Sequence, residues 1–307
     1  METRTAKNNP ALCTLCPRMC GVNRSTSRGY CGAGDMIEVS KIMLHRWEEP
    51  PISGSDPGRG SGAVFFTHCP LGCVYCQNRK ISSRTSCGVA YTVDELADAM
   101  LKLEADGAYN INFVSPTQYT KQIKDAVLIA RDRGLNIPIV WNTGGYERAE
   151  VIASLRGTVD IFLTDVKYAS ADVAGLYSNA ADYPEVALDA LRAMYDVVGC
   201  PEFGDDGMMK KGIIVRHLVL PSHKNDSIEV LRRIADAVPP SDILLSLMAQ
   251  YTPEFLPECE DGDKFKKIRR RITSFEYDSV LAEASRLGFD GFTQDRTSAT
   301  KAYTPEF

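Results

Sequence analysis

The sequence predicts an α/β fold: six β/α units in succession forming a partial (β/α)6 barrel, preceded by a cysteine-rich metal-binding segment. Three observations carry this expectation. From residue 63 onward, short runs of Val, Ile, Leu and Phe recur, apolar on both faces as buried parallel strands are. Segments of helical period separate them, so strand alternates with helix and right-handed crossovers follow. Finally, seven of the ten cysteines fall into two tight groups, residues 13–31 and 69–76.

Taken in order, residues 1–12 are polar and expected to be flexible. Residues 13–61 hold Cys13-x2-Cys16-x3-Cys20-x10-Cys31 and then a connecting arm. The cysteine segment has four glycines, Gly21, Gly29, Gly32 and Gly34, and almost no periodic apolar residues, so a bound metal is its natural staple. Prolines and glycines in the arm, 44–62, rule out long regular structure. Its neighbours Glu48 and Glu49 are expected to point apart, as adjacent residues of an extended chain do.

Residues 62–307 carry the barrel and a C-terminal extension. Strands are expected at 63–67, 111–115, 138–142, 161–166, 212–220 and 243–249. Helices are expected at 93–105, 121–133, 147–155, 184–198 and 227–238, with a last one at 275–287 leading to an apolar segment, 289–293. Thr92 followed by Glu95 reads as a capping box, and Asp226 as a cap. An eight-stranded barrel takes roughly 250 residues without appendages, which is why six strands are expected here. The echo of Tyr-Thr-Pro-Glu-Phe at 251–255 and 303–307 has no longer period and is read as chance.

A formal net charge of −5 gives no electrostatic case for nucleic acid or an anionic membrane. No apolar run approaches the ~20 residues of a membrane span, and the N-terminal METRTAKNNPALC lacks a signal-peptide core. A cytoplasmic location is expected. Clustered cysteines in a reducing compartment point to metal, while the scattered Cys87, Cys200 and Cys259 are read as small buried hydrophobes.

The strongest chemistry sits at GAVFFTHCPLGCVYCQNRKI (62–81), where an apolar strand runs into Cys69-x3-Cys73-x2-Cys76. Cubic iron–sulfur clusters are usually held by four thiolates; three on one tight loop leave one iron open to a reactant. Tyr75 and Asn78 flank the third cysteine. The N-terminal Cys13, Cys16, Cys20 and Cys31 suit either a closed zinc or a closed auxiliary 4Fe-4S cluster.

In these features the chain resembles the radical S-adenosylmethionine (SAM) superfamily, and within it the pyruvate formate-lyase activating enzyme-related (PflX-like) group. The resemblance runs through CPRMCGVNR (16–24), LHRWEEPPISG (44–54), GSGAVFFTHCPLGCVYCQN (60–78), NFVSPTQY (112–119), VWNTGGYE (140–147), FLTDVKY (162–168), VRHLVLP (215–221) and LSLMAQYTP (245–253). It implies a cytoplasmic, oxygen-sensitive enzyme that cleaves SAM reductively to a 5′-deoxyadenosyl radical for hydrogen abstraction. Cys69, Cys73 and Cys76 would hold the SAM-binding 4Fe-4S cluster. Tyr75 and Gln77 would lie near the adenine, and Asn142 and Thr143 would match a ribose-contacting position. Asp165 and Lys167 match an Asp-x-Lys strand end, and Arg216 falls in the stretch that follows. Where many members carry Gly-Gly-Glu against the SAM amino group, this chain has Ser115-Pro116-Thr117. The implied partners are a one-electron reductant such as flavodoxin or ferredoxin, and a glycyl-radical protein to be activated.

Each polar residue also has a structural reading. Strand-end Asn, Thr and Asp close turns or cap helices, and Asp165 and Lys167, two apart on a strand, face one side and can pair. His45 and His217 are expected to be structural, Trp141 to pack in the core, and KFKKIRRR (264–271) to be a solvated surface. Other functions weighed are radical SAM modification of a small molecule or another peptide, and a non-catalytic electron-transfer or metal-binding protein. The last of these requires a fourth thiolate at the 69–76 cluster and no SAM site.

Overall fold

In a computed structural model, residues 12–258 and 263–294 are described. The ends of the chain and Cys259 therefore lie outside, with the flexible stretch expected up to residue 11 and the second Tyr-Thr-Pro-Glu-Phe. The six expected strands form as β2 (Gly60–Phe66), β4 (Ala108–Val114), β5 (Ile139–Thr143), β6 (Ile161–Asp165), β8 (Met209–Leu218) and β9 (Leu244–Met248). They pair parallel in that order, and the short segment after the last helix adds a seventh parallel strand, β10 (Asp290–Thr293), beside β9.

Three strands were not expected. β1 (Ile37–His45) and β3 (Val89–Tyr91) extend the sheet antiparallel at the β2 edge, and β7 (Glu202–Phe203) makes a short hairpin on β8. β1, in IEVSKIMLH, is buried at its start and half-buried after it, so it lacks the all-apolar run of a parallel strand. Part of the segment placed ahead of the barrel is thus sheet.

Helices α3 (Val93–Ala105), α4 (Thr120–Asp132), α7 (Tyr183–Val198), α8 (Lys224–Ala237) and α9 (Ser274–Leu287) follow the expected pattern, and α6 (Ala171–Ser178) is additional. Short turns complete the set: α1 (Pro50–Ser53), α2 (Arg79–Ser82) and α5 (Ala149–Ala153). The Thr92 capping box opens α3 as expected. Asp226 does not cap α8. It lies inside the first turn, and its carboxylate accepts the backbone N–H groups of Ala169 and Ser170, tying the loop after β6 to the helix.

Strand alternation divides the core in two. Phe113, Trp141, Phe162, Ile213 and Val215 face the helices, so Trp141 is fully buried there rather than walling a cavity. On the opposite face, Val140, Ile161, Leu163 and Ile214 pack around Ile52 of α1. The arm therefore runs across the inner face, pinned by the Asn110 side chain donating to the Ile52 carbonyl (2.7 Å). Strand ends from β2 through to β10 line one shared cavity, so the sheet curls as an open barrel.

Two scattered cysteines depart from expectation. Cys87 and Cys200 are exposed, because each lies on a loop between elements and not on an inward-facing position. In the basic 264–271 run the lysines are exposed, while Phe265 and Ile268 are buried and Arg270 pairs with Glu276 (2.6 Å).

Candidate active site

β2 is buried along its whole length and ends at Phe66, which delivers the cysteine loop to the C-terminal rim of the parallel strands. Cys69, Cys73 and Cys76 line a cavity of about 570 Å³ there, within the ~300–1,000 Å³ range of small-ligand sites. No other cysteine lines it among the described residues. The loop is fixed by backbone and side-chain bonds: Val74 N–H donates to the Tyr177 carbonyl (2.8 Å), and the Ser178 hydroxyl to Cys73 Sγ (2.9 Å).

Burial pushes the Cys69 thiol up to about 12, with Cys73 and Cys76 adding to it. Burial also raises Cys73, against the pull of Lys167. Such thiols keep their protons until a metal displaces them.

Most of the other expected residues gather on the same cavity: Tyr75, Gln77, Asn78, Ser115, Asn142, Thr143, Asp165, Lys167 and Arg216. Tyr75 is held edge-on to Tyr177 and Tyr251, its hydroxyl hydrogen-bonded to that of Tyr168. Ser115 stands in the left-handed region (φ 57), so the chain turns sharply off β4. Lys167 is paired with Asp165. Burial works against the ammonium, and the Asp165 carboxylate outweighs it, holding Lys167 well above its ordinary value.

Thr117 is placed elsewhere. It does not line the cavity, because its hydroxyl donates to Glu147 (2.6 Å) in the short helical turn after β4. The Thr143 hydroxyl donates to the same Glu147 oxygen (2.6 Å), so Thr143 meets the cavity with its side chain already engaged. Burial raises Glu147, and its second oxygen has no partner. This knot was not foreseen; Glu147 reads from sequence as the start of a helix, which begins only at Ala149.

The largest correction concerns the arm. Glu48 and Glu49 do not point apart; both converge on Arg216. Arg216 donates to Glu49 through Nε (2.7 Å) and Nη2 (2.6 Å), and to Glu48 through Nη2. Glu48 also accepts from Asn112 (3.1 Å) and Asn142 (3.3 Å). The chain turns at Glu49 into α1, which lets both carboxylates reach one guanidinium. Burial opposes ionisation of Glu49, but Arg216 outweighs it and holds that carboxyl below its usual value. Glu48, Glu49, Asn142 and Arg216 of this network line the cavity, as does His45, packed edge-on to Phe65 at 5.9 Å. His217 is buried outside the cavity, its Nδ1 bonded to the Val166 carbonyl (2.7 Å); burial lowers it to about 4.

Glycine is required where the strand ends approach. Gly145, after β5, has φ 78, and a Cβ there would collide with the Asp165 carbonyl oxygen and the Tyr183 hydroxyl.

Cys13, Cys16, Cys20 and Cys31 surround a second, small cavity of about 10 Å³ with Arg24, Tyr30, Pro70 and Gln118, room for about one water. Burial pushes Cys16 up to about 12. Among the described residues no three His, Cys, Asp or Glu side chains are grouped as ligands of a metal ion would be. The fit of metal to either cysteine set thus rests on donor type and placement.

The sheet thus delivers three cysteines from the end of its first parallel strand to one cavity of about 570 Å³, a donor set suited to an iron–sulfur cluster that meets a bound reactant. Residues 63–201 match the radical SAM superfamily. The superfamily's chemistry uses a 4Fe-4S cluster and SAM. Over 301 residues, 94% of this chain and 79% of the relative, the sequence is 29% identical to an uncharacterized protein of Methanocaldococcus jannaschii. Among solved structures, a radical SAM methyltransferase from Sphaerobacter thermophilus matches with a TM-score of 0.48 and 15% identity, over 78% of this chain and 67% of that one. SuiB of Streptococcus suis, bound to precursor peptide SuiA, matches with a TM-score of 0.49 and 11% identity, over 74% of this chain and 46% of that one. Among the described residues no helix is long and apolar enough to cross a membrane.

Proposed function

We propose that the protein abstracts hydrogen from a substrate by reductive cleavage of SAM in the 570 Å³ cavity. The observation that carries this is the donor set: three cysteines and no fourth line that cavity among the described residues. A closed electron-transfer cluster would use a fourth thiolate. Bound there, the cluster and SAM supply the homolytic bond cleavage from which the hydrogen abstraction starts.

The chain's own part is to bind, orient and shield. Cys69, Cys73 and Cys76 hold the cluster, with the Ser178 hydroxyl fixing Cys73 Sγ. Tyr75, Gln77 and Asn142 line the space for the nucleoside, and the Asp165–Lys167 pair sits beside Cys73. Arg216, paired with Glu48 and Glu49, lines the same cavity. The four N-terminal cysteines form a second metal centre, a 4Fe-4S cluster or a zinc, since both accept four thiolates. A flavodoxin- or ferredoxin-class protein supplies the electron. The substrate, on the resemblance to activating enzymes, is the glycyl loop of a partner protein.

The test is anaerobic reconstitution, reduction with dithionite and addition of SAM, reading 5′-deoxyadenosine. Product should form in the wild type and vanish in Cys73→Ala; no product from an intact cluster defeats the reading. Incubation with a glycyl-radical enzyme should then give a glycyl-radical signal by electron paramagnetic resonance. Turnover of a small molecule without that signal would replace the partner assignment with the small-molecule one.

A further inference from the structure

The N-terminal cysteine segment is fastened to the cluster loop by side chains. Arg18, between Cys16 and Cys20, donates through Nε to the Pro70 carbonyl (3.0 Å) and through Nη2 to the carbonyls of Leu71 (3.3 Å) and Ser178 (3.4 Å). Its guanidinium lies over the rings of Tyr30 (4.5 Å) and Tyr146 (5.0 Å). Pro70 and Leu71 stand between Cys69 and Cys73, and Ser178 is the residue whose hydroxyl donates to Cys73 Sγ. Pro70, the chain neighbour of Cys69, also lines the N-terminal cysteine cavity.

Gln118 makes a second bridge. It lines the same small cavity, and its Nε2 donates to the carbonyls of Thr67 (2.8 Å) and His68 (3.1 Å), the two residues before Cys69. Arg24, another lining residue, donates to the Gln118 carbonyl, while its Nε is buried without a partner. An unpaired buried donor is costly, and beside four thiols it suits the negative charge of a four-thiolate centre.

We infer that Cys13, Cys16, Cys20 and Cys31 hold a closed metal centre that positions the SAM-cluster loop through Arg18 and Gln118. The inference rests on the second-centre reading above and adds what that centre does. Residues 12–31 contain no helix or strand, so the metal provides the segment's order. With that order lost, Arg18 has no fixed base from which to hold the Pro70 and Leu71 carbonyls. Outer contacts of this kind change metal affinity by about 10–100-fold.

The experiment uses the full chain, reconstituted without oxygen, with zinc, iron and sulfide counted. The rate at which a ferrous chelator strips iron from the 69–76 cluster is measured alongside the paramagnetic resonance spectrum with SAM. Cys13→Ser/Cys16→Ser should lose one metal set, zinc for a zinc centre or iron with sulfide for a cluster, and shed the remaining cluster iron about 10-fold faster. Arg18→Gln leaves every cysteine in place. It should keep both metals, yet shed iron faster and show an altered spectrum with SAM. Unchanged metal counts in the double variant overturn the centre; unchanged iron loss and spectrum in Arg18→Gln overturn the positioning role. Cys69→Ala/Cys73→Ala/Cys76→Ala should retain the second metal. A wild type loaded at both sites that makes no 5′-deoxyadenosine would defeat the proposed function and leave this inference standing.

Discussion

Cys69, Cys73 and Cys76 leave the end of a strand buried along its whole length, whereas Cys13, Cys16, Cys20 and Cys31 lie on a segment with no helix or strand. The first set opens onto about 570 Å³ lined by polar strand ends; the second encloses about 10 Å³. The same donor atom thus stands in two different settings. Three thiols held by a sheet, facing open space, suit a metal that must meet a reactant. Four thiols around a small cavity suit a metal that must hold a segment still.

Removing a ligand should separate the two sites most sharply. Cys73→Ala is expected to abolish 5′-deoxyadenosine formation while the N-terminal metal stays, as metal counts would show. If both metals leave together, the N-terminal centre depends on the 69–76 cluster and the comparison fails.

Arg216→Met tests this network at the cavity. It strands Glu48 and Glu49 as buried carboxylates, and should cost about 3–5 kcal/mol in urea unfolding. The pH dependence follows from the same pair. Glu49 is held below its ordinary value, where Arg216 overcomes burial. Its contribution is complete above an unfolded carboxyl pKa of about 4.3 and is lost as pH falls through the lower folded value. Other carboxyls held low, Glu276 and Glu283 among them, give both proteins an acid-side slope, so a variant whose slope is no shallower than the wild type's would contradict the network.

Gly145→Ala forces a Cβ into the Asp165 carbonyl at a left-handed position. A loss of about 1–3 kcal/mol is expected, together with weaker SAM binding by titration calorimetry. The N-terminal metal content should stay unchanged. Normal SAM affinity would mean that the β5 and β6 ends do not shape the site.

The smallest effect is expected at Thr92→Ala, which removes the capping box of α3 far from both cysteine sets. Melting should fall by about 2 °C, with both metals and SAM cleavage unaffected.

The six parallel strands and the place of the 69–76 cysteines at the strand ends are legible because each is local: an apolar run, or thiols at fixed spacing. β1 was missed because its half-exposed IEVSKIMLH carries no unbroken apolar signal. The convergence of Glu48 and Glu49 is not legible locally, since it depends on Arg216, 167 residues beyond Glu49. Thr117 falls by analogy of position where a SAM contact is expected. Its hydroxyl instead meets Glu147, whose role emerges only when the ends of β4 and β5 come together.

The open-iron site is tested most directly by the paramagnetic resonance spectrum of the reduced wild-type cluster with and without SAM. With three thiolates on the 69–76 cluster, SAM reaches the fourth iron and the spectrum shifts. A spectrum unchanged by SAM, from a cluster whose iron count is intact, would show the site closed and contradict the account.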